Sequence, residues 1–302
     1  MSDAAATGRP DETWTIKRVL DWTRGYLEKC GSTSARVDSE LLLAAALDLP
    51  RLQLYLAFDK PLADAELAAY RRLIRRRARR EPVAYILGQR GFHAIDVEVT
   101  PEVLIPRPET ERLVDLAVAF LGAADAPEGD VLDLCTGSGA IALAIATECD
   151  SQGRPRSVLA TDCSAGAVAV ARRNRDALGL GSVHFAVGDL FAAVDADRRF
   201  AAIVCNPPYV RSEDWARLDA DVRDHEPRLA LDGGADGLDL VRRIAVTARQ
   251  FLVDDGLIAL EVGSRVQAEA TCRLIGERGF AEATVEVLGP GPTCTVAAKA
   301  SA

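Results

Sequence analysis

Residues 131–142 read V-L-D-L-C-T-G-S-G-A-I-A, an apolar run that breaks at a glycine turn and resumes as an alanine-rich helical stretch. A strand that feeds directly into a helix belongs to a βαβ unit, which excludes all-helical and all-β architectures for this part of the chain. The surrounding sequence repeats the alternation. Helices are predicted over 109–121, 140–148 and 165–177, and strands over 131–135, 158–162, 183–187 and 201–205. Further on, helices 237–252 and 265–278 flank a strand at 256–262. Strands at 281–288 and 293–299 have no helix between them, which predicts an antiparallel closing hairpin. The expected architecture is an α/β fold with a mostly parallel sheet covered on both faces.

Upstream the pattern differs. From Trp14 to Arg80 apolar residues recur at helical spacing, as at Val19, Leu20, Trp22, Tyr26 and Leu27, then over 41–47 and 62–74. Ser39, Pro50 and Pro61 punctuate the stretch, and the prediction is a small helical bundle over 1–81. Residues 82–108 carry short extended runs at 84–87 and 95–100, with Gly88, Gly91 and prolines 101, 106 and 108, which predicts a β-hairpin linker. The chain of 302 residues suits two domains, the second over 109–302.

The remaining composition mostly excludes. No apolar run approaches the ~18 to 20 residues that cross a bilayer, and the first residues are polar and acidic, so a soluble cytoplasmic protein with no membrane partner is expected. Seven cysteines without a C-x-x-C pair, and only His93, His184 and His225, predict reduced, mostly buried thiols and no metal site. A net charge of -9 argues against stable nucleic-acid binding. One segment runs against it: Arg71 to Arg80 reads R-R-L-I-R-R-R-A-R-R, either a solvated helix face or a docking patch in which Arg75, Arg76 and Arg79 are the candidates.

The chemistry begins at the glycine turn. Gly137 and Gly139 let the backbone approach a ligand, flanked by Cys135, Thr136 and Ser138, and the helix that follows points its free N–H groups there. Asp162 ends the next strand, placed to accept hydrogen bonds from ribose hydroxyls. Together these describe a nucleoside-containing cofactor. G-S-G-A-I-A also satisfies the dinucleotide pattern, so an NAD enzyme competes, as does a tight turn without ligand.

A second motif favours one cofactor. Ile203-Val204-Cys205 runs into Asn206-Pro207-Pro208-Tyr209, at the carboxyl end of a strand where ligands of open α/β sheets bind. The prolines keep Asn206 and Pro207 extended, so the Asn206 side-chain oxygen and the Pro207 carbonyl are able to accept both hydrogens of a planar NH2 group while the Tyr209 ring packs on its face. An NH2 cage beside a nucleoside cofactor suits S-adenosylmethionine, whose methyl group Asn206 would also border. Gly188-Asp189-Leu190-Phe191 and Leu260-Glu261-Val262-Gly263 are weaker supports; Asp189 is placed to reach an adenine amino group.

With N-P-P-Y after the fourth strand of a D-L-x-T-G-S-G domain, the chain resembles the protein-(glutamine-N5) methyltransferases that modify peptide-chain release factors. V-A-Y-I-L-G (83–88), V-L-I-P-R-P-E-T-E (103–111) and E-P-R-L-A-L-D-G-G-A-D-G-L (226–238) carry the likeness, which runs from about Trp14 to Thr284. It implies a helical domain that docks the release factor and a Rossmann-like class I methyltransferase domain dependent on S-adenosylmethionine. The cofactor site would fall on Cys135 to Gly139, Asp162, Asp189 and Leu190, and the acceptor site on Asn206 to Tyr209. The acceptor would be the glutamine of a Gly-Gly-Gln loop in class I release factors. The chain departs from the family at Cys135, usually Gly, at His225, usually aromatic, and at Gly289 to Thr293, usually basic. An adenine-N6 methyltransferase, or a silent ribosome- or RNA-binding adaptor, is the alternative.

Overall fold

The computed structural model describes residues 13–288 and 292–301. Positions 289–291, part of the Gly289 to Thr293 departure, lie outside the described residues. The chain divides into two compact units, Met1–Leu87 and Gly88–Ala302.

The first unit is helical: α1 (Ile16–Lys29), α2 (Ala35–Leu47), α3 (Arg51–Leu56), α4 (Asp64–Arg77) and α5 (Val83–Leu87). Thr15 caps α1, its hydroxyl accepting from Arg18 N–H at 3.3 Å, and Ile16, Val19, Leu20 and Leu27 fill one face. These side chains share a core with Leu42, Leu43, Leu54, Leu67, Tyr70 and Ile74. Ser39 does not punctuate; it lies inside α2, where its hydroxyl bonds back to the Arg36 carbonyl at 2.8 Å. The turn comes instead at Asp48, in the left-handed region at φ 51°. Residues 84–87 form part of α5 rather than an extended run. Ile86 N–H bonds the Pro82 carbonyl at 3.0 Å, and a short apolar run has no periodicity to separate strand from helix.

The arginine run is partly structural. Arg77 is 3% exposed and its Nε meets Asp38 Oδ2 at 2.7 Å, and Arg76 clasps Glu81 at 2.5 Å. Arg71, Arg72 and Arg75 are exposed.

The second unit opens with a hairpin, β1 (Gln89–Phe92) and β2 (Ile95–Glu98). Its turn residue His93 reaches Asp115 at 3.0 Å and Glu148 at 3.2 Å. The rest alternates: α6 (Glu111–Leu121), β3 (Asp130–Leu134), α7 (Ala140–Ser151), β4 (Val158–Asp162), α8 (Ala165–Leu178), β5 (Val183–Val187) and β6 (Phe200–Cys205). Then follow α9 (Ala220–Arg223), α10 (Asp239–Thr247), β7 (Leu252–Val262), α11 (Arg265–Gly276), β8 (Phe280–Val287) and β9 (Cys294–Ala300). The seven-stranded sheet has the order β5-β4-β3-β6-β7-β9-β8. β3 to β7 pair in parallel, while β9 runs antiparallel between β7 and β8. β6 is buried along its whole length, as a central parallel strand must be when helices cover both faces.

Two features of this sheet position the site. The order reverses between β3 and β6, so a crevice opens at their carboxyl ends. Leu134 and Cys205 are register partners there, and the glycine turn and N-P-P-Y therefore leave the sheet side by side. All seven cysteines are free; Cys149, Cys205 and Cys294 are buried, Cys163 is exposed, and the other three are half-buried, fewer than expected. No helix among the described residues is long and apolar enough to cross a membrane.

Candidate active site

The glycine turn is held from below by two carboxylates. Asp133 Oδ2 accepts from the Thr136 hydroxyl at 2.6 Å, and Asp162 Oδ2 accepts from Gly137 N–H at 2.9 Å. Burial pushes the Asp133 carboxyl up to about 7, partly offset by the Thr136 hydroxyl and the Ala142 N–H. Burial also raises Asp162, opposed by the N–H groups of Ser164 and Gly137. Gly139 adopts φ 82°, and a Cβ there would stand 3.0 Å from Phe185 Cζ and 3.1 Å from Ala171 Cβ, so the close approach admits glycine alone. Gly137, at φ 56°, has open space where a side chain would be. Cys135 also has positive φ, 57°, a conformation that costs a residue with a Cβ about 1–2 kcal/mol.

Cys135, Thr136, Gly137 and Ser138 line a narrow cleft of about 50 Å³ together with Asn206, Thr110, Arg107 and Phe92. Asp162 borders the turn from beneath. Asp189 and Leu190 are not brought to this cleft: Asp189 pairs with Arg243 at 2.7 Å in solvent, and Leu190 is buried with its carbonyl accepting from the Thr161 hydroxyl.

The N-P-P-Y segment is fixed from several sides. Asn206 Nδ2 donates to Thr110 Oγ1 at 3.1 Å. Pro207 and Pro208 are buried. The Tyr209 hydroxyl donates to Glu261 Oε1 at 3.3 Å, and its carbonyl accepts from Gln267 Nε2 at 2.9 Å. Gln267 Oε1 in turn accepts from Gly263 N–H at 2.9 Å, latching the segment to the turn after β7. Tyr209 also lines a larger cavity, about 540 Å³, with Arg211, Asp214, Asp236, Gly263 and Gln267.

Four residues without a role in the sequence reading are central here. Glu261 is fully buried; burial raises its carboxyl to about 7, and the facing Thr110 and Tyr209 hydroxyls hold it below where burial alone would put it. Thr110 stands between Glu261 and Asn206. Arg107 Nη2 reaches Glu226 Oε1 at 2.6 Å, and Glu226 Oε2 accepts from Ile105 N–H at 3.1 Å. The signal was present in I-P-R-P-E-T-E, E-P-R-L and L-E-V-G, but nothing in the chain order says that these segments meet.

Comparison with known proteins bears on the family and the fold. Residues 18–88 match a family model described as PrmC N-terminal domain, and residues 112–221 match one described as Methyltransferase small domain. A release factor glutamine methyltransferase of Geobacter sulfurreducens is 45% identical over 271 residues, spanning 90% of this chain and 92% of that one. Another of the same name, from Chlorobaculum tepidum, is 37% identical across 91% of this chain and 94% of its own. Among solved structures, the hMettl16 catalytic domain superposes with a TM-score of 0.54 at 15% identity over 69% of this chain and 76% of its own, a likeness of fold. On these likenesses the chain belongs to the release factor glutamine methyltransferase family.

Proposed function

We propose that this chain transfers a methyl group from S-adenosylmethionine to the side-chain amide nitrogen, N5, of a protein glutamine, and that its acceptor is the Gly-Gly-Gln glutamine of class I peptide-chain release factors. The observation that carries the reading is the orientation of Asn206. Its Nδ2 is committed to Thr110, which leaves Oδ1 as the acceptor offered to the cleft that the glycine turn also lines.

The residues present fit the cofactor. The open space at Gly137, the N–H groups at the start of α7 and the strand-end carboxylate of Asp162 suit a nucleoside with a charged tail. Cys135 to Gly139 and Asp162 would hold it, and Asp189 would exchange Arg243 for the adenine amino group. When bound, S-adenosylmethionine supplies a methyl group carried on a sulfonium, an electrophile.

The chain's own residues must compensate for a poor nucleophile, because the glutamine amide nitrogen delocalises its lone pair into the carbonyl. Asn206 Oδ1 and the Pro207 carbonyl accept the two N–H bonds and fix the nitrogen in place. Such positioning supplies up to ~7 to 11 kcal/mol in well-oriented systems. Both acceptors strengthen as positive charge grows on the nitrogen, which then gives its proton to solvent. The buried prolines exclude water from one side of the cage.

Radiolabelled methyl transfer from S-adenosylmethionine tests the reading, offered a purified class I release factor, the same factor with the loop glutamine replaced by alanine, and an adenine-containing oligonucleotide. Label is expected only in the unaltered factor. Label in the oligonucleotide would make the chain an adenine-N6 methyltransferase, and label in none would make it a silent adaptor.

A further inference from the structure

A fully buried carboxylate needs a reason. Glu261 sits on β7 with no cation in hydrogen-bond contact, and its Oε2 has no partner among the described residues. Leaving such a group buried costs several kcal/mol in principle, so an apolar residue would be the more stable choice unless the carboxylate does something. Its Oε1 accepts from the Tyr209 hydroxyl, and the Thr110 hydroxyl faces it.

Thr110 is 3% exposed and Asn206 Nδ2 lies 3.1 Å from its Oγ1. A threonine hydroxyl has one proton and two lone pairs. Once the proton is given to a carboxylate, which has none to return, only lone pairs remain for Asn206. The asparagine must then present its NH2 group to Thr110 and its oxygen to the cleft. Turned the other way, it would set an NH2 against the NH2 of the acceptor.

We infer that Glu261 is a positioning residue: acting through the Thr110 hydroxyl, it fixes the amide of Asn206 with Oδ1 toward the acceptor nitrogen. The inference rests on the reading of N-P-P-Y as the acceptor cage. It also gives the buried carboxylate a pH signature. The groups facing Glu261 are Thr110, Glu109 and Arg107 from the segment before α6, Tyr209 after β6, and Thr295, its register partner on β9. Glu261 titrates at about 7. Below that value its protonated form becomes a donor, the Thr110 proton is released from its commitment, and the asparagine loses its enforced direction.

The test is a double-mutant cycle on the full chain with S-adenosylmethionine and release factor. Thr110→Val and Glu261→Gln should each lower kcat about tenfold while the cofactor Kd, measured by calorimetry, stays at the parent value. Thr110→Ser keeps the hydroxyl and should restore most of kcat. The double variant should be no slower than the slower single one, since both act on one contact. The acidic limb of kcat near pH 7 should vanish in Glu261→Gln. Parent kcat in Thr110→Val, or losses that multiply in the double variant, would overturn the inference. Should Glu261→Gln not fold, the Thr110→Val and Thr110→Ser pair still decides. Asn206→Ala separates the two levels: normal turnover in that variant refutes the acceptor cage itself, whereas lost turnover there with parent kcat in Thr110→Val refutes only the role of Glu261.

Discussion

Asn206 and Thr110, 96 positions apart in the chain, meet through a 3.1 Å hydrogen bond from the asparagine amide to the threonine hydroxyl. The contact carries the segment before α6 across the carboxyl ends of β3 and β6, and Arg107 with Glu226 repeats the join at 2.6 Å. The crevice that strand order opens is therefore walled by residues drawn from three loops, each tied to another by a buried or half-buried polar contact.

Asn206→Ala removes one of two acceptors from the proposed cage and leaves the glycine turn untouched. Losing one preorganised contact of this type costs ~10² to 10³ in turnover. The expected variant binds S-adenosylmethionine like the parent and transfers methyl about a hundredfold more slowly. Lost cofactor binding would mean that Asn206 belongs to the cofactor pocket instead.

Asp162→Ala should weaken S-adenosylmethionine binding, read as a raised dissociation constant by calorimetry. The carboxylate also accepts from Gly137 and Ser164 N–H, so a small fall in Tm should accompany it. An unchanged dissociation constant would remove Asp162 from the cofactor site.

The parallel sheet, the glycine turn and the closing hairpin were legible because each rests on local chemistry: glycine at positive φ, β-branched runs, helices of recognisable period. The α5 helix was not, since five apolar residues carry no usable period. Thr110 and Glu261 were visible only as members of quoted segments. Their roles come from β7 lying beside β6 and from the entry to α6 crossing above both, relations of topology that spacing along the chain does not encode. The partner of Asp189 was hidden for a similar reason: nothing in a strand-end aspartate announces that it pairs with Arg243 on α10.

Gly263→Ala should slow turnover through Tyr209. A Cβ at this position would stand 2.6 Å from Tyr209 Cδ2, so the ring or the turn after β7 must shift. Overpacking of this kind costs ~1–3 kcal/mol. A lower Tm together with reduced kcat is expected; parent kcat would show that the ring position does not matter to transfer.

Asp133 makes stability depend on pH with a definite sign. Its ordinary value is 3.8, and burial raises it to about 7 in the folded chain. Between those values the folded state keeps a proton that the unfolded state has lost. The contribution to stability is therefore full below the unfolded value and is lost as pH rises through about 7. Asp133→Asn should give a Tm that falls less steeply between pH 4 and 7 than that of the parent, and parallel profiles would refute the assignment.

The arginine run separates into a structural and an exposed part, and each predicts a different measurement. Arg77 is buried against Asp38, and Arg76 holds Glu81 and the Ile86 carbonyl, so replacing them tests the fold rather than docking. Removing one partner of a buried pair costs ~3–5 kcal/mol, and Arg77→Ala should lower Tm accordingly. Arg76 thus drops out of the docking candidates, Arg75 and Arg79 remain exposed, and Arg71 and Arg72, exposed on the helix, join them. If they attract an acidic face of the protein substrate, replacing all four with Ser should raise KM with kcat unchanged. The rise should be greatest at low salt, because the Debye length falls from ~30 Å at 0.01 M to ~10 Å at 0.1 M. A KM equal to the parent's at both salt concentrations would leave these side chains as a solvated helix face.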